Sequence, residues 1–235
     1  ASKHAKFIER IISREKPKLI LQNITTPLRK WQKSQPFLYV GFDHMIGSQM
    51  LADYYIKKTK GVGKYAVLYT ANGYVSYMRG TKFIDYVSKN SDLKVVHEYF
   101  TNTSKEKAKL ATLDLLKQDD DIKFIYACST DIALGVIEAL KEKNLVGKIL
   151  VNGWGGGSSE LQAIQDGYMD ITVMRMNDDN GVAMAEAIKL DLEGDKQKVP
   201  TIFSGDFALV EKGIAKEKLE ELKQRAFRYT QDNEK

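Results

Sequence analysis

Residues 124–135 read Phe-Ile-Tyr-Ala-Cys-Ser-Thr-Asp-Ile-Ala-Leu-Gly. Five apolar residues in a row fit a fully buried strand, Ser-Thr-Asp supplies oxygens suited to cap a helix, and Ile132, Ala133 and Val136 resume at helical spacing. A buried strand that runs through a cap into an amphipathic helix is half of a βαβ unit. The pattern recurs on both sides. Strands are expected at Lys18–Asn23, Phe37–Phe42, Tyr65–Thr70, Leu93–Phe100, Phe124–Cys128, Lys148–Asn152 and Asp170–Met174. Helices are expected at Ile46–Lys58, Tyr77–Lys89, Lys105–Lys117, Ile132–Lys143, Ser159–Asp166 and Gly181–Leu192. Alternation of this kind predicts an α/β fold with a mostly parallel sheet. Further caps are read at Ser104 and at Ser158-Ser159-Glu160. Asn23, Thr70–Gly73, Ser129–Asp131 and Asn152–Trp154 all then fall at carboxyl ends of strands, where open parallel sheets bind ligands.

The chain has 235 residues, 43% hydrophobic and 29% charged, enough to bury a core in one large or two small domains. Its longest apolar runs are far shorter than the ~18 residues a membrane helix needs. The formal charge is +5, with both signs interspersed, which reads as a solvated surface rather than a nucleic-acid footprint. One cysteine, Cys128, excludes an internal disulfide framework and a multi-cysteine zinc site. Gln22–Pro36 and Asp195–Pro200 read as turn-rich connectors, and Arg228–Lys235 as a frayed tail.

Several familiar chemistries find no support. His4, His44 and His97 are scattered over a helix, a loop and a strand, and Asp119-Asp120-Asp121 lacks the spacing of a calcium loop. No G-x-S-x-G nucleophile elbow occurs, so the reading is a binding protein and not an enzyme. The stretch Asn152-Gly-Trp-Gly-Gly-Gly157 matches neither nucleotide fingerprint, and is expected to be a flexible turn that presents Trp154. Two arginines stand out. Arg79 lies near the start of the helix after Thr70–Gly73, and Arg175 closes a strand between Met174 and Met176. With Asp131 and an aromatic nearby, they suit a small polyhydroxylated ligand that carries negative charge.

The succession Tyr39-Val-Gly-Phe-Asp43 with Gly47, Ala52 and Asp53, then Ser129–Gly135, Val151–Trp154, Gln162–Tyr168 and the strand ending at Arg175 resembles the sugar-binding (type I) periplasmic binding proteins. The likeness runs over about residues 18–215, and within that class it looks most like the LuxP-type receptors for autoinducer-2. It implies a two-lobe α/β fold with parallel sheets, in which residues 1–42 and 177–198 are the remainder of the first lobe and 43–176 with 199–235 form the second. The amino-terminal part of the first lobe is then missing ahead of residue 1, which would leave strand edges and apolar helix faces uncovered.

The same resemblance implies a furanosyl borate diester as ligand, no cofactor or metal, a periplasmic location, and a membrane two-component sensor kinase as partner, with neither nucleic acid nor membrane insertion. It assigns Arg79 and Arg175 to borate and ring oxygens, Asp131 and Asn23 to hydroxyls, and Trp154 with the Thr130 backbone to the cleft wall. Two other jobs use this fold: the sugar-binding component of an ABC transporter, and the effector domain of a transcription regulator.

Overall fold

The computed structural model describes residues 2–15, 17–23 and 36–227. Most of the Gln22–Pro36 connector and the Arg228–Lys235 tail lie outside the described residues. In chain order the elements are α1 (Ser2–Glu15), β1 (Ile20–Gln22), β2 (Leu38–Gly41), α2 (His44–Thr59), β3 (Val62–Tyr69), α3 (Tyr74–Ser76), a π-helical turn (Tyr77–Thr81) and α4 (Lys82–Asn90). There follow β4 (Asp92–Phe100), α5 (Lys105–Gln118), β5 (Ile122–Ala127), α6 (Thr130–Glu142), β6 (Leu150–Gly155), α7 (Ser158–Gln165) and β7 (Ile171–Arg175). The last of the described elements are α8 (Asn177–Leu192), a 3₁₀ turn (Lys196–Lys198), β8 (Ile202–Ser204), β9 (Phe207–Glu211) and α9 (Lys216–Ala226).

Two compact units divide the chain. Unit 1 comprises Ala1–Asp43, Arg175–Asp206 and Glu220–Lys235, and unit 2 comprises His44–Met174 and Phe207–Leu219. Unit 1 holds a parallel three-stranded sheet in the order β1-β2-β8. Leu38 and Val40 of β2 and Ala187 of α8 form its small core, with Ile20, Ala183, Met184 and Phe203 packed around them. The sequence division gave 199–235 to the second lobe. Tyr39 and Val40 instead pair with Ile202 and Phe203, which ties β8 to β2 inside unit 1.

Unit 2 is built on a six-stranded sheet in the order β4-β3-β5-β6-β7-β9. Its first five strands are parallel. The last pair is antiparallel, because Met176 N–H bonds Asp206 O while Lys212 N–H bonds Asp170 O. Its core is aromatic: Tyr55 stacks on Phe124 at 3.9 Å, Tyr65 on Phe124 at 4.7 Å, and Phe83 on Tyr126 at 3.7 Å. Fully burying each such ring stabilises the fold by roughly 1.5–3 kcal/mol.

Local chemistry explains why the helices start and pack as they do. Ser104 caps α5 as read, its hydroxyl accepting from Lys107 N–H at 3.2 Å. The expected cap at Ser158 differs, since α7 starts after Gly157 with no side-chain cap bond. Between α5 and α6 the backbones approach closely because position 135 has no side chain. A Cβ there would lie 2.2 Å from Lys105 O, a backbone atom that cannot rotate away. Gly135→Ala is therefore expected to cost about 1–3 kcal/mol in urea denaturation, the usual range for overpacking. Gly73→Ala is the control: its backbone is extended and nothing lies within 4 Å of the added methyl. It should change stability by less than about 0.5 kcal/mol.

Candidate functional site

The carboxyl edge of the unit 2 sheet is opened between its two central strands. β5 and β6 pair only at Phe124–Leu150 and Ile125–Val151. Beyond that point the Asn152 carboxamide takes over, its Oδ1 accepting from Ala127 N–H at 3.1 Å and its Nδ2 donating to Ala127 O at 2.9 Å. Tyr55 Oη–H donates to the same Oδ1 at 3.0 Å. One buried side chain thus satisfies the strand backbone that would otherwise be orphaned, while the strands part.

Arg79 lies at this edge, on the π-helical turn. A turn of that kind breaks the regular i→i+4 bonding, and such turns recur at functional sites. Its carbonyls are met by side chains from other elements. The Ser48 hydroxyl lies 3.2 Å from Met78 O and 3.1 Å from Arg79 O, and Tyr126 Oη–H donates to Arg79 O at 2.9 Å. The turn presses Gly80 onto the Tyr69 ring, where a Cβ would sit 2.1 Å from Cε1.

Arg79 as a residue is 8% exposed. It donates from Nη1 to Cys128 O at 2.9 Å and from Nε to His44 Nδ1 at 3.4 Å, and its Cζ stands 4.2 Å from the centre of the Trp154 ring system. A permanent cation is thereby held over an indole face, tied by two hydrogen bonds.

Trp154 departs from the sequence reading. It sits inside β6 rather than on a flexible turn, is 2% exposed, and pairs with Val173 of β7. Its Nε1–H donates to Tyr126 Oη at 2.9 Å. Phe207 and His44 meet it edge-on at 6.0 and 5.8 Å, and Gly47 admits it, since a Cβ at 47 would lie 2.5 Å from the indole Cη2.

Thr130 and Asp131 open α6 on the same edge. The Thr130 hydroxyl reaches Trp154 O at 3.4 Å, and Asp131 is exposed. Arg79, Thr130, Asp131 and Trp154 therefore all belong to unit 2. Asn23 and Arg175 belong to unit 1: Asn23 is exposed at the end of β1 with φ +57°, and Arg175 lies 5.6 Å from the Phe42 ring centre.

Sequence reasoning passed over His44, Ser48 and Tyr126. His44 was weighed only as a metal ligand; its Nδ1 accepts from Arg79 Nε at 3.4 Å, a contact that local sequence does not announce. Among the described residues no cluster of three or more His, Cys, Asp or Glu could hold a metal ion. Asn152 was read as the end of a strand and Trp154 as a turn residue; both lie inside β6, and nothing local announces the bonds that Asn152 makes.

Two outcomes follow from this geometry. Asn152→Ala should destabilise the protein by about 2–4 kcal/mol, because it strands the Ala127 N–H and C=O in a dry interior; thermal or urea unfolding measures it. The Cys128 thiol, 0% exposed and pushed up to about 12 by burial, with Arg79 pulling it partly back, should resist iodoacetamide at pH 8 and react at once in denaturant. Rapid native alkylation would contradict the packing described.

Residues 31–196 match the family described as "Periplasmic binding protein domain". The fructose import binding protein FruE of Bifidobacterium longum (strain NCC 2705) is 32% identical over 118 residues, 49% of this chain and 35% of that protein. The D-allose-binding periplasmic protein of Escherichia coli (strain K12) is 28% identical over 123 residues, 52% of this chain and 39% of that protein. The matched region thus spans little more than a third of either relative. Both are named as binding proteins. Among solved structures, an ABC transporter periplasmic solute binding protein from Actinobacillus succinogenes 130z with bound D-allose superposes with a TM-score of 0.76. It is 21% identical and covers 91% of this chain and 73% of that one. The fructose binding periplasmic domain of a hybrid two component system gives 0.78 at 20% identity, covering 92% and 70%. With its α/β architecture and mostly parallel sheets, the chain belongs to the periplasmic binding protein domain family.

Proposed function

We propose that this chain is the ligand-binding part of a periplasmic receptor for a small polyhydroxylated anion, the furanosyl borate diester form of autoinducer-2, read by a membrane two-component sensor kinase. The observation that carries this reading is Arg79: a buried arginine at the carboxyl edge of the sheet, its Nη1 donating to Cys128 O and its Cζ 4.2 Å from the Trp154 ring centre. A fixed, desolvated cation favours an anion over a neutral sugar, since its donors and its charge are both satisfied by borate oxygens. Thr130 and the exposed Asp131 stand on the same unit to take ligand hydroxyls. Arg175 and Asn23 are proposed as further ligand residues from unit 1. Trp154 acts through its contact with Arg79 rather than as an open wall, given its burial.

A second reading is favoured by the relatives' names. Fructose and D-allose are neutral, and a sugar-binding component of an ABC transporter would use the same fold. The fold does not separate the two, because similar structures serve in an ABC transporter protein and in a two component system.

Titration calorimetry with autoinducer-2 in borate buffer, and with D-fructose and D-allose, discriminates between them. Arg79→Met should weaken the borate ligand by about 10- to 150-fold, the equivalent of one charge-assisted hydrogen bond of ~1.5–3 kcal/mol. Asp131→Asn should weaken binding and leave the melting curve unchanged. Tight binding of a neutral hexose that is insensitive to Arg79→Met would move the protein to transport.

A further inference from the structure

The glycine-rich stretch Gly153–Gly157 is accounted for by no nucleotide motif, and the ligand groups above do not explain it. Its explanation lies in the side chain of Glu160. This residue is 0% exposed in the first turn of α7, and its carboxylate reaches back to the end of β6. Oε1 accepts from Trp154 N–H at 2.8 Å, and Oε2 accepts from Gly156 N–H at 2.8 Å and from Thr172 Oγ–H at 2.5 Å. Three donors compensate a charge that would otherwise be very costly to bury.

The neighbouring glycines make room for it. A Cβ at Gly153 would lie 2.5 Å from Glu160 Cδ, and Gly156 has φ +71° with its Cβ position 2.4 Å from Met174 Cγ. Any side chain at 153 would evict the carboxylate. At 156 it would strain the backbone whose amide the carboxylate holds.

We infer that Glu160 is a positioning residue of the proposed ligand-binding edge, a buried carboxylate that fixes the Trp154 backbone and, through the indole, the position of Arg79. It acts from beneath the edge: the amide it grips is that of the residue whose ring lies 4.2 Å from the guanidinium carbon. The inference rests on the proposed ligand reading only for its effect on affinity. Its effect on Trp154 is independent of any ligand.

The experiment uses a Trp31→Phe background, so that Trp154 is the only tryptophan left of the two in the chain. In that background Glu160→Gln keeps the shape but turns an amide nitrogen toward a backbone N–H. Acrylamide quenching of Trp154 emission should rise from that of a shielded indole toward that of an exposed one, with the far-ultraviolet circular dichroism and a cooperative melt retained. Affinity for autoinducer-2 in borate should fall about tenfold, as expected for a misdirected charge-assisted contact. If Glu160→Gln does not fold, Thr172→Val removes one donor, leaves both amide bonds, and should shift quenching the same way by less. Quenching and affinity both within about twofold of the parent would overturn the inference. A parent that does not bind autoinducer-2 would overturn the ligand proposal, while the quenching result would still decide the role of Glu160.

Discussion

The constraint on which the proposed binding edge depends is the early parting of β5 and β6. A parallel ladder that stops after two residue pairs would leave buried amides and carbonyls without partners, and each such group costs on the order of 1–3 kcal/mol. The Asn152 carboxamide removes that penalty by bonding both backbone groups of Ala127. Tyr126 and Trp154 join by a hydrogen bond, and the Cys128 carbonyl is left facing Arg79.

The charge at this edge is held by geometry from several elements at once. α2 contributes His44, Gly47 and Ser48, the π-helical turn contributes Arg79, and β5 and β6 contribute Tyr126 and Trp154. Each of these groups is packed in the aromatic core or hydrogen-bonded to another of them, so the guanidinium has little freedom to reorient. Preorganisation of this kind reduces the ordering cost that a ligand must offset on binding. The π turn is supported from outside as well: Tyr126 Oη–H donates to the Arg79 carbonyl, and the Ser48 hydroxyl, 2.9 Å from His44 O, stands within reach of the Met78 and Arg79 carbonyls.

Much of the fold was legible because its signals are local. Phe124–Gly135 passes from strand to helix within a dozen residues, and both the capping oxygen at Ser104 and the helical spacing of α6 lie in plain view. The short strands β8 and β9 were not read, since their pairing is with β2 and β7 rather than with sequence neighbours, and three to five residues carry no periodicity of their own. Gly153–Gly155 was read as a turn because glycine usually marks one; here Asn152–Gly155 runs in register with Ile171–Met174, and the missing side chain at 153 makes room for a buried carboxylate. Of the site, Arg79 could be found from its place after a strand end. His44 and the π turn could not, because their roles depend on contacts made across the fold.

The proposed selection of an anion over a neutral sugar at this edge rests on Arg79. It is tested most directly by purifying the protein from cells that produce the signal, denaturing it, and analysing the released small molecule by mass spectrometry and boron NMR. The account predicts a boron-bearing furanosyl compound in stoichiometric amount. Release of an unmodified neutral hexose would contradict it.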